Sequence, residues 1–270
     1  MRRPAPSTVR WLMLAAILTL WEIVPQFNVI PELFLPSLSK TLTVLYQDRG
    51  TYFSALLVTL YEVGFAMIIS CGGGILAGAL VGGIALLRNL LLPICSSLYA
   101  VPVVILYPIM TAWFGVGSES KIIFSGIYAF FPVMLSAAAG IRTIDPGFLL
   151  AARSMGATRR QLITRVVIPA SVPTVFTALR LGGALTIIGV VVSEMLTSAA
   201  GVGYLVTLNR TILNSPRVFA AILMILVLAV AYYMIARAIE RRFVVWQSAG
   251  RKQQAVSRDS TSGIAAPQAA

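Results

Sequence analysis

Residues 55–84 read ALLVTLYEVGFAMIISCGGGILAGALVGGI, an unbroken apolar run whose one charged side chain is Glu62. At 1.5 Å of rise per residue a helix of this length more than crosses the roughly 30 Å of bilayer hydrocarbon. Backbone groups in lipid must be satisfied within the chain, so a run this long is a helix. Runs of the same kind recur near residues 11–30, 90–114, 121–140, 172–199 and 217–237. Six transmembrane helices follow, and the fold class is an all-α membrane protein. A chain of 270 residues that is 58% hydrophobic and 11% charged, with a mean hydropathy of +0.89, has too little polar surface for a soluble domain.

Within the quoted stretch, Gly74, Gly78 and Gly82 recur every fourth residue and form a ridge on which a second helix can approach closely. Cys71-Gly72-Gly73-Gly74 lies inside the span with no lysine after it, so it packs helices and does not cradle phosphate. The third run carries Pro93, Pro102 and Pro108. Each removes a backbone donor, and a kink or break is expected where that helix lines a cavity or packs on neighbours.

Six spans put both termini on one side. Of the 21 lysines and arginines, only Lys40, Arg49, Lys121, Arg210 and Arg217 fall on the other side, with Arg180 inside the fifth run. The excess of basic residues marks the terminal side as cytoplasmic. The net charge of +12 therefore reflects membrane orientation, not nucleic-acid binding. Met1-Arg2-Arg3 ahead of the first run lacks a small-x-small cleavage site and reads as the flank of an uncleaved span. Leu38, Leu42, Leu45 and Tyr46 share one helical face, so Ser37 to Tyr52 reads as a short helix on the outer surface. Three units result: residues 1–50, the N-terminal span with this external segment; residues 51–240, the membrane core; and residues 241–270, a polar tail with little to bury and therefore disordered.

The chain has no histidine, and Cys71 and Cys95 are not spaced for a metal or a disulfide, so no metal or cofactor is expected. Its three lysines follow Ser39, Ser120 and Arg251, and none completes the Gly-Lys-Ser/Thr ending of a nucleotide-binding loop. The chain is not an ATPase, and its apolar runs offer only Glu22, Glu62, Glu194 and Arg180 as ionisable groups, too few for catalysis.

Residues 141–171, IRTIDPGFLLAARSMGATRRQLITRVVIPAS, are more organised than a linker. Asp145 is placed to cap a helix with Pro146 at its first position, and Gly156 offers a left-handed stop. Thr158 and Gln161 fit a capping box that opens a second short helix, which Pro169 interrupts. Two short helices bent at a glycine form a rigid knob, with small Ala151 and Ala152 allowing close contact. An amphipathic pair resting on lipid headgroups through its arginines fits the same spacing.

Ala151, Ala152, Gly156 and Ala157, followed by Ile168-Pro169, resemble the EAA loop of the permease subunits of binding-protein-dependent ABC importers. Trp113-Phe114-Gly115-Val116-Gly117, Phe131-Pro132, Ala178-Leu179-Arg180-Leu181, Val191 through Met195 and Gly201-Val202-Gly203-Tyr204 extend the likeness over roughly residues 50–240. The branch resembled is the one for nitrate, sulfonates and taurine. The resemblance implies a type I importer permease fold, a homodimer in the bacterial inner membrane, a separate cytoplasmic ATPase docked on the loop, and an external solute-binding protein. Two positions depart from the pattern: Leu150 stands where the family places Glu, and Glu62 where a basic residue is expected.

Glu194, with Ser193, is the candidate for the border of the translocation pathway, since an intramembrane charge tends to face protein or water. A hydrogen-bonded helix contact at the subunit interface explains Glu194 equally well. Arg180 reads as snorkelling to the interface and Glu22 as packing. An ion-gradient-driven secondary transporter is the alternative; it calls for paired intramembrane charges and an internal repeat, and the sequence displays neither.

Overall fold

The computed structural model describes the backbone of residues 6–27 and 30–262 and the side chains of residues 8–27 and 30–242. Every regular element among them is helical. In chain order these are α1 (Pro6–Gln26), α2 (Leu38–Gln47), α3 (Arg49–Gly83), α4 (Ala85–Ala100), α5 (Val103–Phe114) and α6 (Ser118–Arg142). Then follow α7 (Pro146–Ser154), α8 (Arg159–Leu196), α9 (Val202–Thr211) and α10 (Ser215–Ser262). Five of the described helices are long and apolar enough to cross a membrane, and there are six when the bent pair α4–α5 counts as one span. The six expected runs all correspond to these elements.

α3, α6 and α8 make the core. The expected glycine ridge is the α3 surface that meets α6: a Cβ on Gly78 would stand 2.4 Å from the Met134 carbonyl oxygen, and one on Gly82 2.8 Å from that of Ala138. Ile69 faces Gly126 and Gly74 faces Val133, so α3 and α6 run in the same direction. α8 returns antiparallel, with Gly182 against Val133 and Gly189 against Ser125. On the end where α3 starts, Tyr52, Val202, Leu205 and Ala220 bury one another and tie α9 and α10 to α3.

The expected break in the third run is present: the run is two helices at 79° to each other, with Pro102 at the break, Pro93 inside α4 and Pro108 within α5, where its tight first turn becomes α-helical. Three expectations change. The surface helix is shorter than expected: Ser37 caps it, Asp48 ends it, and Arg49 to Tyr52 already belong to α3. Pro169 interrupts nothing. A wide π turn, Leu162–Val167, feeds straight into the helix that starts at Ile168 with Pro169 in its first turn. Bonds reaching five residues back shift the ladder, so the missing proline amide falls where the pattern is already changing. The last helix continues to Ser262, into the stretch expected to be disordered, and residues 263–270 lie outside the described residues.

The ridge yields a stability test. Gly78→Val forces a side chain into the Met134 backbone and is expected to destabilise the detergent-solubilised protein by about 1–3 kcal/mol, as overpacking does. Gly83→Ala, with nothing within 4 Å of the new Cβ, is expected to leave the thermal midpoint where it was; equal shifts for both would rule out the ridge as a packing surface.

Candidate functional site

Two places in the fold concentrate polar chemistry, one at each end of α8. At its start, the Asp145 side chain accepts the Gly147 amide at 2.8 Å and Pro146 opens α7. The other end of α7 closes with two amides reaching back: Gly156 N–H to Arg153 O at 2.9 Å and Ala157 N–H to Ala152 O at 3.0 Å. This is a Schellman turn, and it requires the left-handed Gly156, φ +76°. Nothing lies within 4 Å of a Cβ built there, so backbone conformation alone demands glycine. The Thr158 amide donates to Gln161 Oε1 at 2.9 Å, and the Gln161 amide donates to Thr158 Oγ1 at 3.3 Å, which completes the expected capping box.

α7 lies against the π turn of α8, with Ala152 buried and Ala151 outward. Ala151, Ala152, Gly156 and Ala157 thus sit in one elbow. Ile168 and Pro169 stand beyond the π turn and are exposed. The elbow shows solvent an apolar crest of Phe148, Leu150 and Met155, the last 81% exposed, among exposed Arg142, Arg153, Arg159, Arg160 and Arg165.

At the far end of α8, Glu194 is 1% exposed. Its Oε1 accepts the Thr59 hydroxyl at 2.7 Å and its Oε2 accepts the Gly203 amide at 2.7 Å. Thr59 Oγ1 in turn accepts the Val202 amide at 3.0 Å. The carboxylate therefore holds the first amides of α9, where a helix N-terminus favours negative charge. Gly201, φ +103°, passes so close that a Cβ would lie 2.0 Å from Glu194 Oε1. Ser193 is buried as well, its hydroxyl donating to Val190 O at 2.7 Å. Both residues are enclosed within the protomer with their polar atoms engaged, so they do not border an open path in this conformation. The role visible for Glu194 is a joint between α3, α8 and α9.

Beside this joint lies an ion pair that the sequence reading missed. Glu62, 0% exposed, pairs with Lys121 and accepts the Ser118 hydroxyl at 2.8 Å. Lys121 also donates to Ser198 Oγ at 3.0 Å. Burial corrects two expectations: Lys121 is interior and not an outer-side loop charge, and the spans do hold a pair of opposite charges, Glu62 and Lys121. The available signal was Ser118, Lys121 and Ser125 on one face of α6, opposite a glutamate that a hydrocarbon-buried span cannot leave alone.

Two other ionisable residues find structural partners. Arg180 pairs with Glu240 of α10 at 3.1 Å and lies over the Tyr233 ring. Glu22 accepts the Ser39 amide at 2.9 Å and hydroxyl at 2.8 Å and so joins α1 to the start of α2.

Removing one partner of a buried pair leaves a bare charge, typically at a cost of about 3–5 kcal/mol. Lys121→Met is expected to lower the thermal midpoint sharply, while Glu62→Leu combined with Lys121→Met recovers most of the loss in a double-mutant cycle. Additive losses would show that the two charges do not interact.

Residues 72–245 match the model of the family described as "Binding-protein-dependent transport system inner membrane component". The chain is 27% identical to the putative aliphatic sulfonates transport permease protein SsuC of Bacillus subtilis (strain 168) over 92% of both chains. It is 32% identical to the taurine transport system permease protein TauC of Escherichia coli (strain K12), over 86% of this chain and 87% of that one. In fold it resembles an inward-facing conformation of the MetNI methionine ABC transporter, with a TM-score of 0.60 at 18% identity over 74% of this chain and 98% of that one. The fold is that of a type I importer permease. By sequence and architecture, the chain belongs to the inner membrane components of binding-protein-dependent transport systems and is the permease subunit of an ATP-driven importer.

Proposed function

We propose that this permease works as a homodimer, with residues 51–240 as its core and both termini in the cytoplasm, and imports a small anion of the sulfonate, taurine or nitrate kind. A separate ATPase subunit docks beneath each 142–169 loop, and an external solute-binding protein delivers the cargo. The relatives named for aliphatic sulfonates and taurine support the solute class. The excess of basic residues on the elbow side supports the orientation.

One observation carries the mechanism: α8 runs without a break from the elbow at Arg159 to the joint at Leu196, about 57 Å at 1.5 Å per residue. A push on the elbow reaches the opposite end of the molecule as a rigid-body movement of one helix. The driving energy comes from ATPase contacts that differ between the two states. Leu150 and Met155 make those contacts apolar where the family pattern has an acidic residue.

Gly156→Pro tests the reading, because proline cannot adopt φ +76°. The variant is expected to insert normally, yet to lose at least tenfold in solute uptake and in permease-dependent stimulation of the ATPase. Membrane-impermeant thiol reagents that reach cysteines placed at residues 150–165 from outside the cell would end the importer mechanism described here.

A further inference from the structure

The bent pair breaks at membrane depth. Just beyond the break, Val103 and Tyr107 pack on Phe124, with Ile127 and Tyr128 alongside, two to three turns inside α6, Ser118–Arg142. Val101 and Pro102 are extended, ψ 130° and 95°. Pro102 brings no amide hydrogen, and the Val101 amide turns back to Leu98 O at 3.2 Å, so the helical ladder stops at the end of α4. The last carbonyls of a helix have no partner within it. Tyr99, Val101 and Ile105 around this break are all exposed, Val101 by 49%. Irregular backbone at membrane depth is tolerated against protein or against water, but not against lipid.

A second observation gives the direction. Asn89, Pro93, Ser96 and Ala100 share one face of α4 at helical spacing, with Ser97 at its edge, and each is exposed. Leu91, Ile94 and Leu98 lie on the far side and are also exposed, and Leu90 stands at the border, on one stripe with Ser97. One face is built for hydrocarbon. The other is polar and small, and it ends at the interrupted backbone.

Building on the importer reading, we propose that the Asn89–Ala100 face of α4 and the break at Val101–Pro102 line the aqueous path of the solute. Ser96 supplies a hydroxyl donor for an anionic group. Ser97, whose hydroxyl proton is held by Pro93 O at 3.0 Å, offers lone pairs to water or to an ammonium or amide hydrogen of the solute. This face carries no arginine or lysine, so an anion is passed along it and not captured.

Thiol accessibility tests the proposal. In a Cys71→Ala, Cys95→Ser background, single cysteines replace Ser96, Ser97, Leu91 or Leu98, and vesicles are treated with a permanently charged methanethiosulfonate, with and without the ATPase subunit and a non-hydrolysable ATP analogue. A thiol in hydrocarbon does not ionise and reacts slowly. Ser96→Cys and Ser97→Cys are expected to react at least tenfold faster than Leu91→Cys and Leu98→Cys in one or both conditions. Equal or slower reaction of the 96 and 97 thiols in both conditions would overturn the assignment. So would spontaneous disulfides between two copies through residue 96 or 97 without reagent access, an outcome that places a second copy on this face. The contrast between faces is read on the permease alone as well, so absence of ATPase binding, which defeats the importer reading, remains a separate result.

Discussion

Val133 sits between two glycines, and the three-helix core depends on that contact. A Cβ on Gly74 would lie 2.8 Å from Val133 Cγ1 and one on Gly182 2.4 Å from its Cγ2, so α3, α6 and α8 meet around one side chain only because two of them lack theirs. In lipid there is little hydrophobic force to gather helices, and close packing of small residues takes its place. The same approach brings Glu62 within reach of Lys121 and Glu194 within reach of Thr59. At the spacing of leucine-packed helices those charges would have to find partners elsewhere or be excluded from the span.

Two sets of buried polar groups do different jobs. Glu194 and Thr59 secure the first turn of α9 through its amides, and Glu62 with Lys121, Ser118 and Ser198 fastens α3 and α6 to the loop after α8. Glu62, Lys121, Thr59 and Glu194 are buried, and Ser118 and Ser198 lie at the partly exposed edge. These links make α3, α6, α8 and α9 one body, whereas α4 has no buried residue and touches the rest lightly. A transporter needs both a stiff part and a part free to change its neighbours, and the division falls between these helices.

Much of this was legible from the sequence. The six runs, the GxxxGxxxG ridge, the caps at Asp145 and Thr158 and the left-handed Gly156 each rest on local rules, period or turn chemistry, that hold whatever the surroundings. Three-dimensional pairing was not legible. Lys121 was counted with the solvent side because it stands three residues into a helix, and only the approach of α3 reveals it as interior. The continuity of α8 through Pro169 was hidden as well, because a π turn has no sequence signal comparable to a proline's. The partner of Arg180, Glu240, was hidden too, sixty positions away on another helix.

The wide turn at Leu162–Val167 has a geometric consequence for the elbow. Relative to a regular helix it accommodates one additional residue, and one residue is about 100° of rotation around the axis. The compass bearing of Phe148, Leu150 and Met155 about α8 is therefore fixed by that single surplus residue. Shortening the turn by one position would leave the caps at Asp145 and Thr158 and the left-handed Gly156 in place and aim the crest at a different neighbour.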